Sequence, residues 1–434
     1  MNYYRPIKEI FDFEKGSLQS SKAIDGEYNF ITASSEWKKH NIYEHDKEAL
    51  IIAVAASGSL GRVHYINGKF ISSDLCFILT PRDQKKIPVD LQFYQHFFQS
   101  IRHDLVQATA TGTSKLAINQ ENFGNYKVPY FDIEHQKKYK EKFVTLEERQ
   151  FKLNSQFNQQ KTNLKNLRKQ ILQDAIEGKL TKEWREKNTD IEPASELLKK
   201  IKKEKEKLIA EKKIKKEKPL PEINKSEIPF ELPESWVWTR LGEMCYRIHY
   251  GFNASAKKEK DGVRLLRITD IQDSKVDWDN VPGCDYSQKD IETYGLNEND
   301  IVIARTGGTI GKSFLVKNKI VESLFASYLI RLIPSKLSSS EYIKLFLETP
   351  IYWKQLFNAA WGAGQPNVNG SSLQKLFFPL PPFPEQLAIV SKLQTLMQKL
   401  DEVEKQIEKN LTFSKQLSKV ILAEAFNQNN LEKK

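Results

Sequence analysis

IVIARTGGTIGK, at residues 301–312, repeats a pattern that occurs 250 residues earlier as IIAVAASGSLGR, at residues 51–62. Each stretch is a short apolar run followed by a glycine-rich turn, which is typical of a β-strand that enters a tight turn. Three pairs of residues match between the two stretches: Gly308 with Gly58, Gly311 with Gly61, and Lys312 with Arg62. The repeat predicts that the chain is a tandem duplication.

Further matches follow at the same spacing, and they are listed here with their positions: NAAWGAGQPNVN (358–369) with QATATGTSKLAIN (107–119), FFPLPPFPEQ (377–386) with KVPYFDIEHQ (127–136), and KVILAEAF (419–426) with KQILQDAI (169–176). Asn369 and Gln386 thereby align with Asn119 and Gln136. Each copy therefore has the same order of elements, a region of short β-rich runs and then a long helix.

Apolar residues recur at alternating spacings of three and four in both helical regions, which predicts coiled-coil seams. The predicted seams are Phe143, Leu146, Leu153, Phe157, Leu164, Leu167 and Ile171 in the first copy, and Leu393, Leu396, Leu400, Val403, Ile407, Leu417 and Ile421 in the second, with Gln160 and Asn410 at one shared polar position. Two such helices in one chain favour an antiparallel pair with pseudo-twofold symmetry. At about 42 residues each, they would separate two globular domains by roughly 60 Å. The alternative is that each helix packs on its own domain.

The net charge of +11 makes an acidic partner plausible, and nucleic acid is the commonest one. Part of this charge is concentrated in residues 199–218, with 11 Lys against 4 Glu, a composition more typical of a solvated helix or linker. The chain shows no C-x-x-C pair, no H-E-x-x-H motif, no signal peptide and no long apolar span. We therefore expect no metal site, no membrane partner and a cytoplasmic location.

Two enzymatic alternatives are weakened by defective motifs. A nucleotide-binding loop that ends in Gly311-Lys312-Ser313 requires a glycine at position 306, where the chain has Thr306. An adenine methyltransferase requires a polar acceptor before Pro-Pro-aromatic, and LPPF at 380–383 has Leu380 there. The sequence thus predicts no catalytic residues.

Five segments together resemble the specificity (S) subunit of type I restriction-modification enzymes, the HsdS family. They are AIEGKLTKEW (175–184), EPASELLKKIKKEKEKLI (192–209), LPESWVWTRLGEM (232–244), NDIVIARTGGTIGK (299–312) and LPPFPEQLAIVSKL (380–393). The resemblance covers nearly the whole chain. One departure is that the first copy lacks the lead-in LPESWVWTRLGE and starts near Ile7, its equivalent of Leu241.

The resemblance implies an α+β fold in which two β-rich target recognition domains are separated by two long antiparallel coiled-coil helices. The expected boundaries are 1–133 and 233–383 for the domains, 134–180 and 384–434 for the helices, and 181–232 for a Lys-rich helix and linker. Each domain would read one half of a bipartite site in double-stranded DNA. The helices would dock two modification subunits, and two restriction subunits would join where the complex also restricts. S-adenosylmethionine, ATP and Mg²⁺ would bind those partners, and this chain would hold no cofactor.

Sequence reading requires side chains that reach base edges, and phosphate contacts require Lys, Arg or backbone N–H groups. The turns and loops of the two copies supply the following candidates: Ser57, Ser59, Arg62, Thr113, Ser114 and Lys115 in the first, and Arg305, Thr306, Gly307, Gly308, Lys312, Trp361, Gln365 and Asn367 in the second. Features that recur in both copies are better candidates for backbone contacts than for base reading. The remaining alternative function is an adaptor whose helical hairpin spaces two protein-binding domains.

Overall fold

A computed structural model describes residues 3–56, 58–112, 116–258, 262–272, 275–317, 321–360 and 367–426. The chain forms two compact units. The first unit contains Met1–Gln159 together with Gln406–Lys434, and the second contains Gln160–Lys405. The first unit is therefore built from two segments that are far apart in the sequence.

The described part of the first unit contains a main sheet and two small strand pairs. Its strands are β1 (Tyr3–Pro6), β2 (Phe11–Lys15), β3 (Tyr28–Ile31), β4 (Lys38–His40), β5 (His45–Ala53), β6 (Val63–Ser72), β7 (Cys76–Pro81), β8 (Ala110–Thr111), β9 (Ala117–Ile118) and β10 (Lys127–Tyr130). The short helices are α1 (Ile7–Ile10), α2 (Leu91–Ser100), α3 (Arg102–Thr109) and α4 (Gln120–Asn125). The main sheet has the order β2-β7-β5-β6-β3-β4.

The long helix α5 (Ile133–Ile176) leads from the first unit to α6 (Lys182–Lys187) and α7 (Ala194–Ala210). The strands of the second unit are β11 (Val237–Arg240), β12 (Cys245–Tyr250), β13 (Arg264–Leu266), β14 (Ile271–Gln272), β15 (Lys275–Val276), β16 (Ile301–Ala304), β17 (Ser313–Leu315), β18 (Ser323–Phe325), β19 (Leu329–Pro334) and β20 (Phe377–Leu380). Its helices are α8 (Gln288–Tyr294), α9 (Ser340–Phe346), α10 (Pro350–Ala360), α11 (Gly370–Gln374) and α12 (Phe383–Phe426).

Each unit contains its own four-stranded antiparallel sheet of the same type. Its order is β2-β7-β5-β6 in the first unit and β12-β19-β16-β17 in the second, so equivalent strands occupy equivalent places. The units differ in the segment that lies, in sequence order, between the first and second strands of this sheet, which are β2 and β5 in one unit and β12 and β16 in the other. The first insertion (residues 16–44) adds β3 and β4, and β3 pairs in parallel with β6. The second insertion (residues 251–300) instead adds β13, the β14–β15 hairpin and α8.

In both units, a strand that pairs with a later strand precedes the sheet. This finding corrects the expectation that the first copy lacks the whole lead-in. Tyr3–Pro6 pairs antiparallel with Lys127–Tyr130, as Val237–Arg240 pairs with Phe377–Leu380. The first copy therefore has a counterpart of the VWTR part of the lead-in, although no position of YYRP matches it. Strand pairing is made by backbone hydrogen bonds, so it does not require the same side chains.

Two buried glutamines fix the start of the long helices in the same manner. In the first unit, the side-chain oxygen of Gln136 accepts a hydrogen bond from the N–H of Asp90 at 2.7 Å. In the second unit, the side-chain oxygen of Gln386 accepts from the N–H of Ser339 at 2.9 Å. Asp90 and Ser339 are the N-cap residues of α2 and α9. The repeat is thus present in the hydrogen bonding as well as in the sequence.

The long helices run antiparallel within each unit. In the first unit, Ser414 of α12 donates to the side chain of Gln150 at 3.0 Å, and the rings of Phe143 and Phe426 lie 5.4 Å apart. In the second unit, Arg168 of α5 binds Asp401 at 2.6 Å and Glu404 at 3.0 Å. Position numbers rise along one helix as they fall along the other, as predicted.

The register of the predicted seams requires correction. Leu153, Leu167, Val403 and Leu417 are 37–49% exposed, and the polar positions Gln160 and Asn410 are exposed as well. Phe143, Leu393, Leu400 and Ile407 are buried, as expected. Polar side chains such as Gln150 and Arg168 occupy contact positions instead. A long side chain such as Arg168 can cross the contact with its stem and bind a carboxylate on the partner helix.

An aromatic cluster in the first unit receives the end of α12. The ring of Phe426 lies 5.2 Å from Phe97 and 5.6 Å from Phe93, in edge-to-face contacts, and also contacts Phe131. Aromatic pairs of this geometry add to the stabilisation that burial provides. Phe426 therefore packs against the core of the first unit.

One buried carboxylate connects several segments of the second unit. Glu385, at the start of α12, is fully buried. It accepts hydrogen bonds from the hydroxyl of Thr181 at 2.7 Å, from the guanidinium of Arg185, and from the indole N–H of Trp236 at 2.7 Å. Arg185 also donates to the carbonyl of Gly178 at 2.7 Å. Three segments that carry the family resemblance thus meet at this residue.

We predict that Gln386→Leu lowers the free energy of unfolding by roughly 2–4 kcal/mol, because it leaves the N–H of Ser339 buried without its acceptor. Urea denaturation followed by circular dichroism measures this change. Gln398→Leu, an exposed position on the same helix, is the matched control and should stay within about 0.5 kcal/mol. Equal effects of the two substitutions would contradict the role assigned to Gln386.

Candidate nucleic-acid interface

The two glycine turns have the same backbone hydrogen bonds. In the first glycine turn (residues 58–62), Gly61 donates to the carbonyl of Ala53, and the N–H of Ala53 donates to Arg62. In the second glycine turn (residues 307–312), equivalent bonds join Gly311 with Ala304 and Ala304 with Lys312. Each turn therefore follows β5 or β16 and places a basic residue immediately before the next strand.

The conformation of the glycines explains why these positions repeat. Gly61 and Gly311 have φ values of +70° and +81°, a region that other residues rarely adopt. An added Cβ at Gly311 would lie 2.4 Å from Leu356, and one at Gly61 would lie 2.7 Å from Val106. The other left-handed glycine of the second turn is Gly307, at +78°, and not Gly308, which the sequence alignment pairs with Gly58. The two turns thus differ by a shift of one residue.

Two arginines support the first glycine turn. Arg62 donates to the carbonyl of Ala33 at 2.8 Å and to the hydroxyl of Ser59 at 3.2 Å. Arg102, at the start of α3, donates to the carbonyls of Leu60 at 2.6 Å and Gly58 at 3.0 Å. Burial, and then the charge of Arg62, lowers the pKa of Arg102. The turn thus carries two neighbouring guanidinium groups, both of which are only partly buried.

The first insertion brings a tryptophan to the same end of the sheet. The indole N–H of Trp37 donates to Nδ1 of His64 at 3.2 Å, and His64 lies two positions after Arg62 at the start of β6. Burial lowers the pKa of His64, so its ring is neutral at pH 7 and Nδ1 can accept. Trp37 keeps 40% of its surface exposed.

In the second unit, an arginine and two tyrosines lie beside the glycine turn. The guanidinium of Arg305 lies 4.6 Å from the ring centre of Tyr250, within the range of a cation–π contact. Its Nε also lies 3.5 Å from the side-chain oxygen of Asn367. The backbone N–H of Arg305 donates to the backbone carbonyl of Tyr328, and Tyr328 is itself 63% exposed. Arg305 is therefore held in place while an aromatic surface next to it stays open.

A cavity of about 810 Å³ opens on the second glycine turn. The turn contributes Gly307, Gly308, Thr309 and Lys312 to its lining, together with Thr306 just before it, and the second insertion contributes Thr269 and Gln272. Trp353 of α10 also lines it. The turn and the insertion thus border one cleft of mixed polar and apolar lining in the second unit.

The structure brings together, in each unit, those predicted contact residues that it describes. Ser59 and Arg62 lie in the first turn, whereas Arg305, Thr306, Gly307, Gly308, Lys312 and Asn367 lie in or beside the second. Ser57, Thr113, Ser114, Lys115, Trp361 and Gln365 lie outside the described residues. Lys312 is exposed, and no acidic partner is seen for it in the described ranges.

Sequence reasoning missed Arg102, Trp37 and Tyr250. Arg102 and Trp37 contact groups 42 and 27 positions away in the chain, and Tyr250 contacts Arg305 from the other side of the second insertion. No local pattern marks such residues.

Two further observations concern other classes of site. Within the described ranges, no three His, Cys, Asp or Glu side chains are grouped so that they could hold a metal ion. None of the helices described is long and apolar enough to cross a membrane.

Residues 3–166 and 233–412 each match the type I restriction modification DNA specificity domain. These two segments cover more than half of the 434 residues. The chain belongs to this specificity family. The two matches coincide with the two copies of the internal repeat, so the family resemblance of the sequence is confirmed.

Several relatives in the family are specificity subunits from Escherichia coli. The type I restriction enzyme EcoAI specificity subunit is 35% identical over 240 residues, which cover 54% of this chain and 39% of the relative. The EcoEI subunit is 29% identical over 251 residues, 56% of this chain and 42% of the relative. The chain thus matches about two fifths of the length of these two relatives. The EcoDI subunit is 24% identical, over 97% of this chain and 86% of the relative.

Two solved structures have a similar fold. The HsdS subunit from Thermoanaerobacter tengcongensis superposes with a TM-score of 0.58 at 16% identity, over 98% of this chain and 97% of that one. A chain from the structural work on complex assembly and conformational transition of the type I R-M system gives 0.62 at 16% identity, over 98% of both chains. The predicted fold class, two β-rich domains with long helices, is confirmed.

We predict that alanine substitutions in the second glycine turn separate strain from steric conflict. Gly311→Ala should lower the free energy of unfolding by about 2–4 kcal/mol, because it adds both a left-handed non-glycine residue and a clash with Leu356. Gly307→Ala adds only the left-handed strain and should cost about 1–2 kcal/mol. Thermal denaturation provides the comparison.

Gly308→Ala is the control, since it has open space and no positive φ. It should leave stability unchanged within about 0.5 kcal/mol. A loss at position 308 that matches the loss at position 311 would show that the turn geometry described here is wrong.

Proposed function

We propose that this chain is the DNA-recognition subunit of a type I restriction-modification complex. Each unit would read one half of a bipartite site in double-stranded DNA. The observation that carries the proposal is the repeated glycine turn, which presents basic side chains at one end of the same four-stranded sheet in two units. Phosphate contacts by Lys, Arg and backbone N–H groups position a protein on DNA and recur between domains with different sequence preferences.

The names of the relatives support this proposal, because they are specificity subunits of type I restriction enzymes. The proposed division of the chain is 1–133 and 233–383 for the recognition domains, with 134–180 and 384–434 as the long helices and 181–232 between the copies. We assign DNA contact to the residues of the glycine turns and their neighbouring loops, with Lys312 and Arg62 on phosphate.

The long helices would dock two modification subunits, and restriction subunits would join where the complex also cleaves DNA. Methyl transfer and cleavage would then be performed by those partners, which would bind S-adenosylmethionine, ATP and Mg²⁺. Residues of this chain would only position the DNA. Such a complex acts where the chromosome is, so we propose a cytoplasmic location.

We expect Lys312→Ala to weaken binding of the assembled complex to all duplexes alike, because a phosphate contact carries no base information. The slope of log affinity against log salt should fall by about 0.9 for one lost contact. Fluorescence anisotropy with cognate and scrambled duplexes at several salt concentrations measures both effects.

Lys336→Ala is the matched control for this experiment. Lys336 is also exposed, but it follows the far end of β19, whereas Tyr328 precedes the near end next to the second glycine turn. Its substitution should not change the salt slope. An unchanged slope for Lys312→Ala would remove Lys312 from the interface.

A change in the spacer tests the role of the helices. One added or removed base pair shifts a half-site by about 3.4 Å and rotates it by roughly 35°. If the paired helices fix the distance between the two recognition domains, affinity should fall at least about tenfold in either direction. Equal affinity for all spacer lengths would contradict the spacing role, and an absence of any sequence-specific DNA binding would favour a protein-binding adaptor.

A further inference from the structure

The two units have the same central elements and differ in the segments next to them. The sheet, the glycine turn and the buried glutamine recur, whereas the insertion after the first strand has a different fold in each unit. If the two units read different half-sites, the residues that distinguish bases belong to the parts that differ. The inference below rests on the proposed function and concerns the first unit.

The first insertion reaches the glycine turn through residues 32–37. Arg62 of the turn donates to the carbonyl of Ala33 at 2.8 Å, which ties this segment to the turn. Trp37 ends the segment, and its indole N–H is already bonded to His64. The ring planes of Trp37 and His64 are nearly perpendicular, at 79°. The indole is thus oriented by a buried residue of the shared sheet, and its one polar group is already bonded.

An exposed indole of this kind differs from an ordinary surface aromatic residue. Its donor is used within the protein, so it has no polar group left for water, and 40% of its surface remains uncovered. Arg62 and Arg102 lie at the neighbouring turn and supply positive charge for a phosphate backbone. Apolar side chains distinguish bases in DNA either by contact with the thymine methyl group or by insertion at a base step.

We propose that Trp37 is a specificity-determining residue for the first half-site and contacts a nucleobase through its apolar ring. His64 is the positioning residue, because it holds the indole N–H and does not itself reach the surface. The ligand class is therefore a base pair of duplex DNA whose major-groove methyl or stacking face fits an indole.

The same insertion provides a matched control. Tyr43 is also 40% exposed, and it packs against Tyr28 and below the ammonium group of Lys69. Lys69 lies near the far end of β6, whereas His64 lies near its start. Tyr43 and Trp37 thus have the same exposure on one insertion but lie at opposite ends of the strand.

The experiment uses the complex of the full chain with its modification subunits and a bipartite duplex taken from its methylated sites. Binding is measured for duplexes that each carry one altered base pair, in either half-site. Trp37→Ala should weaken binding of the cognate duplex by roughly tenfold or more, and it should lose discrimination at one or two adjacent base pairs of one half-site. Discrimination in the other half-site should not change.

Trp37→Phe keeps an apolar ring but loses the N–H that binds His64, so it should retain only part of that discrimination, whereas Tyr43→Ala should behave as the wild type. If Trp37→Ala does not fold, as judged by thermal denaturation, Trp37→Leu fills the space without an aromatic face and is scored instead. Uniform weakening across all duplexes, or no change, would overturn the assignment to Trp37. Failure of the wild-type complex to distinguish the bipartite duplex from a scrambled one would overturn the proposed function instead.

Discussion

The buried carboxylate of Glu385 is the interaction on which the organisation of the second unit depends. A charge without water is costly unless it is paired and fully hydrogen-bonded. Here the partners are Thr181, Arg185 and Trp236, which come from the end of the first copy and the start of the second. The start of α12 is therefore stable only when the connecting segments have docked. This requirement explains why widely separated sequence motifs carry the family resemblance together.

The elements that could be predicted from the sequence are those with a strict physical requirement. Gly61 and Gly311 repeat because a left-handed turn next to packed side chains excludes other residues. Gln136 and Gln386 repeat because each binds the N-cap N–H of a helix. The helix register was not predictable, since polar side chains such as Arg168 occupy contact positions that the spacing of apolar residues does not mark. The strand Tyr3–Pro6 was missed for a related reason, because its pairing involves only backbone groups.

The candidate interface also contains residues that could be predicted from the sequence and residues that could not. The glycine turns and their basic residues were found, because they are local and occur twice. The residues that surround them, Trp37, Arg102 and Tyr250, reach the turns from other parts of the chain, and only the folded structure places them there. A repeat within one sequence reveals what two domains have in common. The residues that distinguish the two domains from each other can be identified only in the folded structure.

The position of Phe426 has a consequence for the order of folding during synthesis. Domains generally fold in sequence order as the chain leaves the ribosome. In the first unit, however, Phe426 packs against the core residues Phe93, Phe97 and Phe131. The unit that is synthesised first can thus complete its aromatic cluster only after the second unit has been made. Until then the apolar surface that Phe426 covers is exposed, and a chaperone can bind the nascent protein there.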